Sequence, residues 1–490
     1  MKTLVSKSIL LLSVCLLGTG ISAFGRAEDV KEKGPGVARD YAVVVSKTTF
    51  NEEGWKKVVE ALVQRHQASV ITYEGDVSKA LEPLKQRFPR YACFVARPEE
   101  AGREFAVKVN RLTRQLDDGP FTDLLWGILT GYRAEDALRI ANTDKPLHIR
   151  KALSGSAGFD LGPFREGLIF SESEAGVSWI KTPNGKIEKK SGPQDSTKAI
   201  VDALNEYQPD LVMTSGHATE RGWLIGYSYK NGLLRCKNGA LFGQDLKENF
   251  YAIHSPNPKI YLASGNCLMG HVSDKQSMAL AWMSSGGVRQ MIGYTAVTFY
   301  GRGGWGTQEY LFDLPGRYTF AEAFFFNQQS IIHELKQRFP DKMKHEVKNW
   351  DFERDRLVLD KELALLGYKN MNGAARDNLG LLWDRDAVAF YGDPAWEARL
   401  SSGPVPIRTD LTCRGEVYTL KVIVDEEARP RKPLAILLPH RVKDIQVTSG
   451  QEFQPFITHN FVMLMKHPEK IKKGETYQVV FTAKRVEKEQ

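Results

Sequence analysis

The chain has 490 residues, 42% of them hydrophobic and 10% aromatic, which exceeds what one hydrophobic core organises and excludes a disordered or fibrous polymer. Its net charge of +8 is spread without a long basic run or an arginine-rich segment, which argues against a nucleic-acid partner.

At the amino terminus Lys2 and Lys7 precede an apolar stretch from Ile9 to Leu17, and Ile21-Ser22-Ala23 offers a small-residue cleavage site. This pattern predicts a secretory signal peptide over 1–23 and an exported chain, whether periplasmic, extracellular or cell-surface associated. Cys15 has apolar residues on both sides and is read as leaving with the signal rather than as a lipid attachment point. No later segment has about 18 consecutive apolar residues, so no integral membrane segment is expected. Residues 24–38 are polar and read as a linker.

A first α/β subdomain is expected over 39–146. It alternates a strand at 41–46, a helix at 53–66, a strand at 68–73, a helix near 77–87, a strand at 91–96 and helices at 99–115 and 134–142. Strands alternating with helices at this spacing imply βαβ units and a parallel sheet. A second α/β subdomain is expected over 147–400. It has a strand at 149–154, a loop through Phe159 and Asp160, and a hairpin around Pro183-Asn184-Gly185. A helix at 197–207 precedes a strand that ends at His217, and a second hairpin surrounds Asn231-Gly232. Then come the strand before Cys267, a helix near 275–285 and a strand at 290–295. Glycine-rich 301–306 reads as an interruption before helices at 319–338 and 355–367. After Ser401-Ser402-Gly403-Pro404 the pattern changes to alternating apolar and polar residues, which predicts an immunoglobulin-like β-sandwich over 405–490. The expected fold class is therefore α/β, a doubly wound, mostly parallel sheet in two subdomains, followed by a β-sandwich.

Two stretches of the second subdomain carry chemistry. Residues 210–218 read Asp-Leu-Val-Met-Thr-Ser-Gly-His-Ala, and 259–270 read Lys-Ile-Tyr-Leu-Ala-Ser-Gly-Asn-Cys-Leu-Met-Gly. Each is a short apolar strand that drops into small residues and then presents one reactive side chain. Ligands of parallel sheets sit beyond the carboxyl ends of the strands, so neighbouring tips would place the His217 imidazole beside the Cys267 thiol. A cysteine nucleophile acts as a thiolate, and a histidine accepts its proton. Backbone N–H groups of Gly216, Ala218 and Cys267, the last at the start of an expected helix, can form an oxyanion hole. His271, one turn after Cys267, reads as a supporting or surface residue. His254 lies in a proline-bearing loop, His333 and His345 on exposed helix faces, and Cys236 after a hairpin strand. A metallohydrolase is disfavoured, since the chain has no HExxH pair and no clustered histidine and aspartate ligands.

The order of these motifs resembles the gingipain-type cysteine peptidases, relatives of the caspase and legumain folds. Besides the histidine and cysteine tips, Thr122-Asp123-Leu-Leu-Trp-Gly-Ile before the acidic helix Ala134-Glu135-Asp136-Ala137-Leu138 resembles a family segment. So does the closing Phe390-Tyr391-Gly392-Asp393-Pro394, with an immunoglobulin-like module after it. The resemblance implies a cysteine endopeptidase with His217 as general base and Cys267 as nucleophile. It implies an acid that orients the histidine, for which Asp160 is the first choice and Glu166 the second. It also implies an aromatic pocket wall drawn from Tyr300 to Trp305. No cofactor is required, a structural calcium ion is compatible with the family, and the expected partner is a protein or peptide substrate. The alternative reading is a catalytically degenerate peptidase fold acting as an exported binding or scaffold protein. It is motivated by Ala218 where the family has glycine, by Gly265-Asn266 where it has small apolar residues, and by the lack of a long pro-segment between signal and domain.

Overall fold

The computed structural model describes residues 40–156, 158–348, 350, 356–401 and 403–486, so the expected signal peptide and linker lie outside the described residues. Twelve strands among these residues form one sheet. In chain order they are β1 (Tyr41–Ser46), β2 (Ser69–Tyr73), β3 (Tyr91–Val95), β4 (Leu125–Leu129), β5 (Lys151–Gly155), β6 (Glu166–Phe170), β7 (Val177–Lys181), β8 (Ile187–Ser191), β9 (Leu211–Thr214), β10 (Lys259–Ala263), β11 (Val288–Tyr294) and β12 (Val388–Tyr391). Across the sheet they run β2-β1-β3-β4-β12-β11-β10-β9-β5-β6-β7-β8. The molecule is thus a mixed α/β protein with a large, mostly parallel sheet.

The burial explains the sequence pattern. β1, β9 and β10 are buried at every position because helices cover both sheet faces, so they read as continuous apolar runs without alternation. The outermost strand, β8, instead carries Glu188, Lys189 and Lys190, charges that keep an open edge from pairing with another chain. β7 and β8 are the hairpin expected around Asn184-Gly185.

β1 to β4 form one parallel block, and β11, β10, β9, β5 and β6 form another. β12 lies between them, antiparallel to β11 and joined to β4 through Tyr391 and Ile128. The chain just before β5 and the chain just after β12 meet in a short parallel ladder between Leu147–Ile149 and Ala398–Leu400. The carboxyl ends of both blocks open on the same edge. Arg103, after β3, donates from Nε to the Thr295 carbonyl at 2.6 Å, and Glu99 pairs with Lys275 at 3.2 Å.

One expectation fails clearly. Glycine-rich 301–306 is no interruption; it opens the helix Arg302–Asp313. Close packing is the reason. A Cβ on Gly304 would lie 2.8 Å from Ser264 Cα, and one on Gly306 would lie 2.0 Å from Asn327 Oδ1. The helix has to touch the end of β10 and the helix Phe320–Arg338, and only glycine permits both contacts. Asp384 Oδ2 accepts the Arg302 N–H at 2.9 Å and holds the first turn. Other boundaries moved by a few residues. The helix expected at 99–115 is Arg103–Leu112, and His345 lies in a loop, bonded to Glu362, rather than on a helix face.

Beyond residue 403 the chain forms two antiparallel sheets. One orders Ile407–Arg414, Val417–Val424, Thr476–Arg485 and Val442–Ser449; the other orders Leu434–Leu437, Phe461–Leu464 and Pro455–Ile457. Alternate residues of Val417–Val424 are buried, the period expected of a strand with one face inward. The module is packed on the α/β part through Phe461 against Phe325 and Phe326, and Phe456 against Phe121. Each buried ring contributes about 1.5–3 kcal/mol. Among the described residues, no helix is long and apolar enough to cross a membrane.

Candidate active site at the carboxyl edge

Strand register brings the two reactive tips side by side. β9 pairs in parallel with β10, with Thr214 opposite Ala263, and with β5 on its other side, with Thr214 opposite Gly155. The loops that follow these three strand ends carry His217, Cys267 and Asp160. The first two loops are tied directly. Ser264 N–H donates to the Thr214 carbonyl at 2.9 Å. Thr214 Oγ1 donates to Asn266 Oδ1 at 2.6 Å, and Asn266 Nδ2 donates to the Gly216 carbonyl at 3.0 Å. Asn266, fully buried, therefore clamps the histidine loop to the cysteine loop. Read from the sequence, it was only a departure from a small apolar pair.

The second departure also has a local account. Ala218 opens the short strand Ala218–Thr219, whose extended backbone accommodates a Cβ without strain. The left-handed position is Gly216, with φ of 80°. A Cβ there would meet Glu172 Oε2 at 3.3 Å.

Glu172 is the acid of this corner. It follows the end of β6, the parallel neighbour of β5. Ser215 Oγ lies 2.8 Å from both Glu172 Oε2 and Ser156 Oγ. The Glu172 carbonyl accepts the N–H of Tyr227 at 2.5 Å and of Ser228 at 3.1 Å. Tyr227 in turn stacks on the exposed His217 ring, with centroids 5.1 Å apart and planes 24° off parallel. Carboxylate, tyrosine and imidazole are thus packed on one loop. Asp160 is turned elsewhere: it is exposed, and its Oδ1 accepts the Gly162 N–H of its own loop at 2.8 Å. Glu166 begins β6, at the opposite end of that strand.

The cysteine loop differs from the expectation in one respect. The helix that follows begins at Met278, so Cys267 sits in a turn and has no helix N-terminus behind it. Leu268 is left-handed, with φ of 60°, and its N–H donates to the Ala296 carbonyl at 3.2 Å. His271 N–H closes the same turn onto the Leu268 carbonyl at 2.8 Å. Cys267 is half-buried. The other three thiols among the described residues are engaged or placed differently. Burial pushes Cys93 well up, and it raises Cys236, whose Sγ donates to the Gln276 carbonyl, to about 11. Cys413 is exposed in the carboxyl-terminal module, with Sγ donating to the Gly415 carbonyl.

The two aromatic wall residues separate. Trp305, in the first turn of Arg302–Asp313, has its indole edge against the loops of both Cys267 and Asp160. A Cβ on Gly265 would lie 3.1 Å from its Nε1, and one on Gly158 would lie 2.8 Å from its Cζ3. Tyr300 is 39% exposed and lies instead against the helix Gly373–Asp386 at Gly380, with the Arg302 guanidinium 5.2 Å from its ring centroid.

No protein-family model matches the chain, and no curated protein matches it in sequence. Among solved structures it is similar to the Arg-specific cysteine proteinase gingipain R (RgpB), with 10% identity, 94% of this chain and 99% of that chain covered, and a TM-score of 0.43. It is also similar to the complex of Porphyromonas gingivalis RgpB pro- and mature domains, with 11% identity, 91% and 100% covered, and a TM-score of 0.42. Likeness at this distance assigns no activity, so the function has to be read from the geometry.

Proposed function

We propose that the chain is an exported cysteine endopeptidase with Cys267 as nucleophile and His217 as general base. The observation that carries this reading is the β9–β10 register, with the Asn266 clamp that holds the histidine and cysteine loops against each other. Two strand tips that each bear half of a nucleophile–base pair, tied by a buried side chain, form the kind of second layer that preorganised catalytic groups require.

In this mechanism the Cys267 proton passes to His217 and the thiolate attacks the scissile carbonyl carbon. The C–N bond breaks as His217 returns the proton to the leaving amine. Water, deprotonated by His217, then attacks the thioester, which releases the acid and restores the thiol. Backbone N–H groups of the two loops stabilise the oxyanion. Glu172 takes the orienting part that Asp160 was expected to play, acting through Ser215, Gly216 and Tyr227. Trp305 supplies one wall of the substrate cleft. The immunoglobulin-like character of the last module and the export signal belong to this proposal.

The test is cleavage of casein and of fluorogenic peptides with Arg, Lys or Asp before the scissile bond. Each is assayed with the wild-type chain and with Cys267→Ala. Cleavage is expected to vanish in the variant, and activity that survives the substitution would sink the cysteine mechanism. Iodoacetamide labelling near neutral pH separates this reading from a scaffold role. Rapid modification of Cys267 that slows in His217→Ala supports an activated pair, and equal slow labelling of both proteins supports the scaffold.

A further inference from the structure

A second polar cluster lies where the first α/β block meets the carboxyl-terminal module, and the proposed peptidase site makes no use of it. Asp117 and Asp123 come from the chain that leads into β4, and Asp123 belongs to the Thr122–Ile128 segment noted in the sequence. His459 comes from the turn between Pro455–Ile457 and Phe461–Leu464. One ring nitrogen of His459 and one oxygen of each carboxylate lie within 4.8 Å of one another. His459 Nδ1 is 3.0 Å from Asp117 Oδ2, and Nε2 is 3.8 Å from Asp123 Oδ1.

Two of these atoms are unaccounted for. The Asp123 side chain is 1% exposed; Oδ2 accepts the Leu116 N–H at 2.9 Å, but Oδ1 has no hydrogen-bond partner among the described residues. His459 Nε2 is buried and unpartnered in the same way. A buried polar atom without a partner is costly, and an ion is one of the few things that satisfies it. The donors are held from both sides. Arg441 Nη2 and Asn460 Nδ2 each donate to the Asp123 carbonyl at 3.0 Å, and the Phe88 ring stacks on His459 at 5.2 Å. The Arg441 guanidinium lies beside the cluster. It is engaged with the Pro89 carbonyl and the Phe88 face.

We propose that Asp117, Asp123 and His459 bind one divalent transition-metal ion of the zinc type, which ties the carboxyl-terminal module to the first α/β block. Two donors about 2.1 Å from a tetrahedral ion are roughly 3.4 Å apart; one nitrogen of His459 and one oxygen of each carboxylate lie within 4.8 Å of one another, so small side-chain movements bring the three round a single ion. An imidazole with two carboxylates suits zinc or its borderline neighbours, whereas calcium takes only oxygen donors. Water completes the coordination on the exposed Asp117 side.

The test uses the full chain carrying Cys267→Ala and His217→Ala, which removes the competing thiol–imidazole pair. The protein is freed of metal by chelation and titrated separately with Co²⁺, Zn²⁺ and Ca²⁺. One equivalent of Co²⁺ is expected to bind with visible absorption bands of low-symmetry coordination. Zn²⁺ is expected to compete for it and to raise the unfolding temperature. Adding His459→Gln or Asp117→Asn is expected to weaken binding more than roughly tenfold. The Asp117 side chain is partly exposed, so its substitution keeps the test informative if the His459 variant misfolds. No stoichiometric Co²⁺ or Zn²⁺ binding, binding unchanged in both variants, or a response to Ca²⁺ alone would overturn the proposal.

Discussion

Two crevices open on the same edge of the sheet, one above β1 and β3 and one above β9 and β10, and they are finished in opposite ways. Above β1 hydroxyls, a guanidinium and a carboxylate bond one another across the gap. Ser46 caps the helix Lys47–Phe50, accepting the Thr49 N–H at 3.0 Å, and donates to Glu100 Oε1 at 2.8 Å. Thr49 Oγ1 and Arg97 also bond Glu100. Above β9 and β10 the knot of Thr214, Ser215, Asn266 and Glu172 lies below the rim, and His217 stands exposed over it. The same strand geometry supports a closed corner and an open one. The open corner arises where hydrogen bonds hold the loops from beneath and leave an exposed imidazole at the top.

Substitution at the two corners should separate them most sharply in turnover. Cys267→Ala or His217→Ala is expected to lower turnover of the best peptide by roughly ten-thousand-fold. Glu100→Gln, which loosens the closed corner, should leave turnover within about twofold of wild type and lower only the urea midpoint. Equal losses of turnover at both corners would erase the distinction between them.

The next effect is smaller and tests the clamp. Asn266→Ala removes a donated and an accepted hydrogen bond and strands the buried Thr214 hydroxyl with Tyr261 as its remaining partner. The expected cost is about 2–4 kcal/mol of stability, read by urea denaturation, with a fall in kcat as the histidine loop loosens. Ser46→Ala in the closed corner loses a helix cap and should cost about 1 kcal/mol with no change in kcat. Smaller again is Glu172→Gln, which keeps the shape and the Ser215 contact but removes the charge. A fall in kcat of about tenfold is expected, together with a shifted pH profile of kcat/KM. Asp160→Asn should change neither.

The sequence displayed these corners unequally. The strand tips were legible because strands buried on both faces leave unbroken apolar runs, and a drop into glycine and serine marks where each run ends. Glu172 was not legible. It sits in Ser171-Glu172-Ser173-Glu174, which looks like any solvated loop, and its place depends on β6 lying beside β5. Asn266 looked like a departure because its partner, the Gly216 carbonyl, is fifty residues away in the chain. The helix carrying Trp305 was hidden by its own glycines, which local propensity counts as breakers and tertiary packing requires. The run before Gly392-Asp393-Pro394 was noted only as a closing motif, and the position of β12 between the two blocks is a non-local pairing that no local pattern records.

The smallest effect concerns the helix on which Trp305 stands, and it is read in stability against pH. Asp384 lies buried beneath the first turn of Arg302–Asp313, and burial raises its carboxyl from 3.8 to about 7, against the opposing pull of Tyr294 and the Arg302 N–H. The folded state therefore holds a proton that the unfolded chain releases near pH 4. The contribution of this group to stability is fully present below that pH and is lost as pH rises through about 7. Asp384→Asn cannot ionise. Between pH 5 and pH 7 the wild type should lose about 1–2 kcal/mol relative to that variant, a difference in which the other titrating groups cancel. A difference from the variant that stays flat over the same range would mean that the helix N-terminus holds Asp384 as a carboxylate. The wall beside Cys267 would then rest on a charge, as the closed corner rests on Glu100.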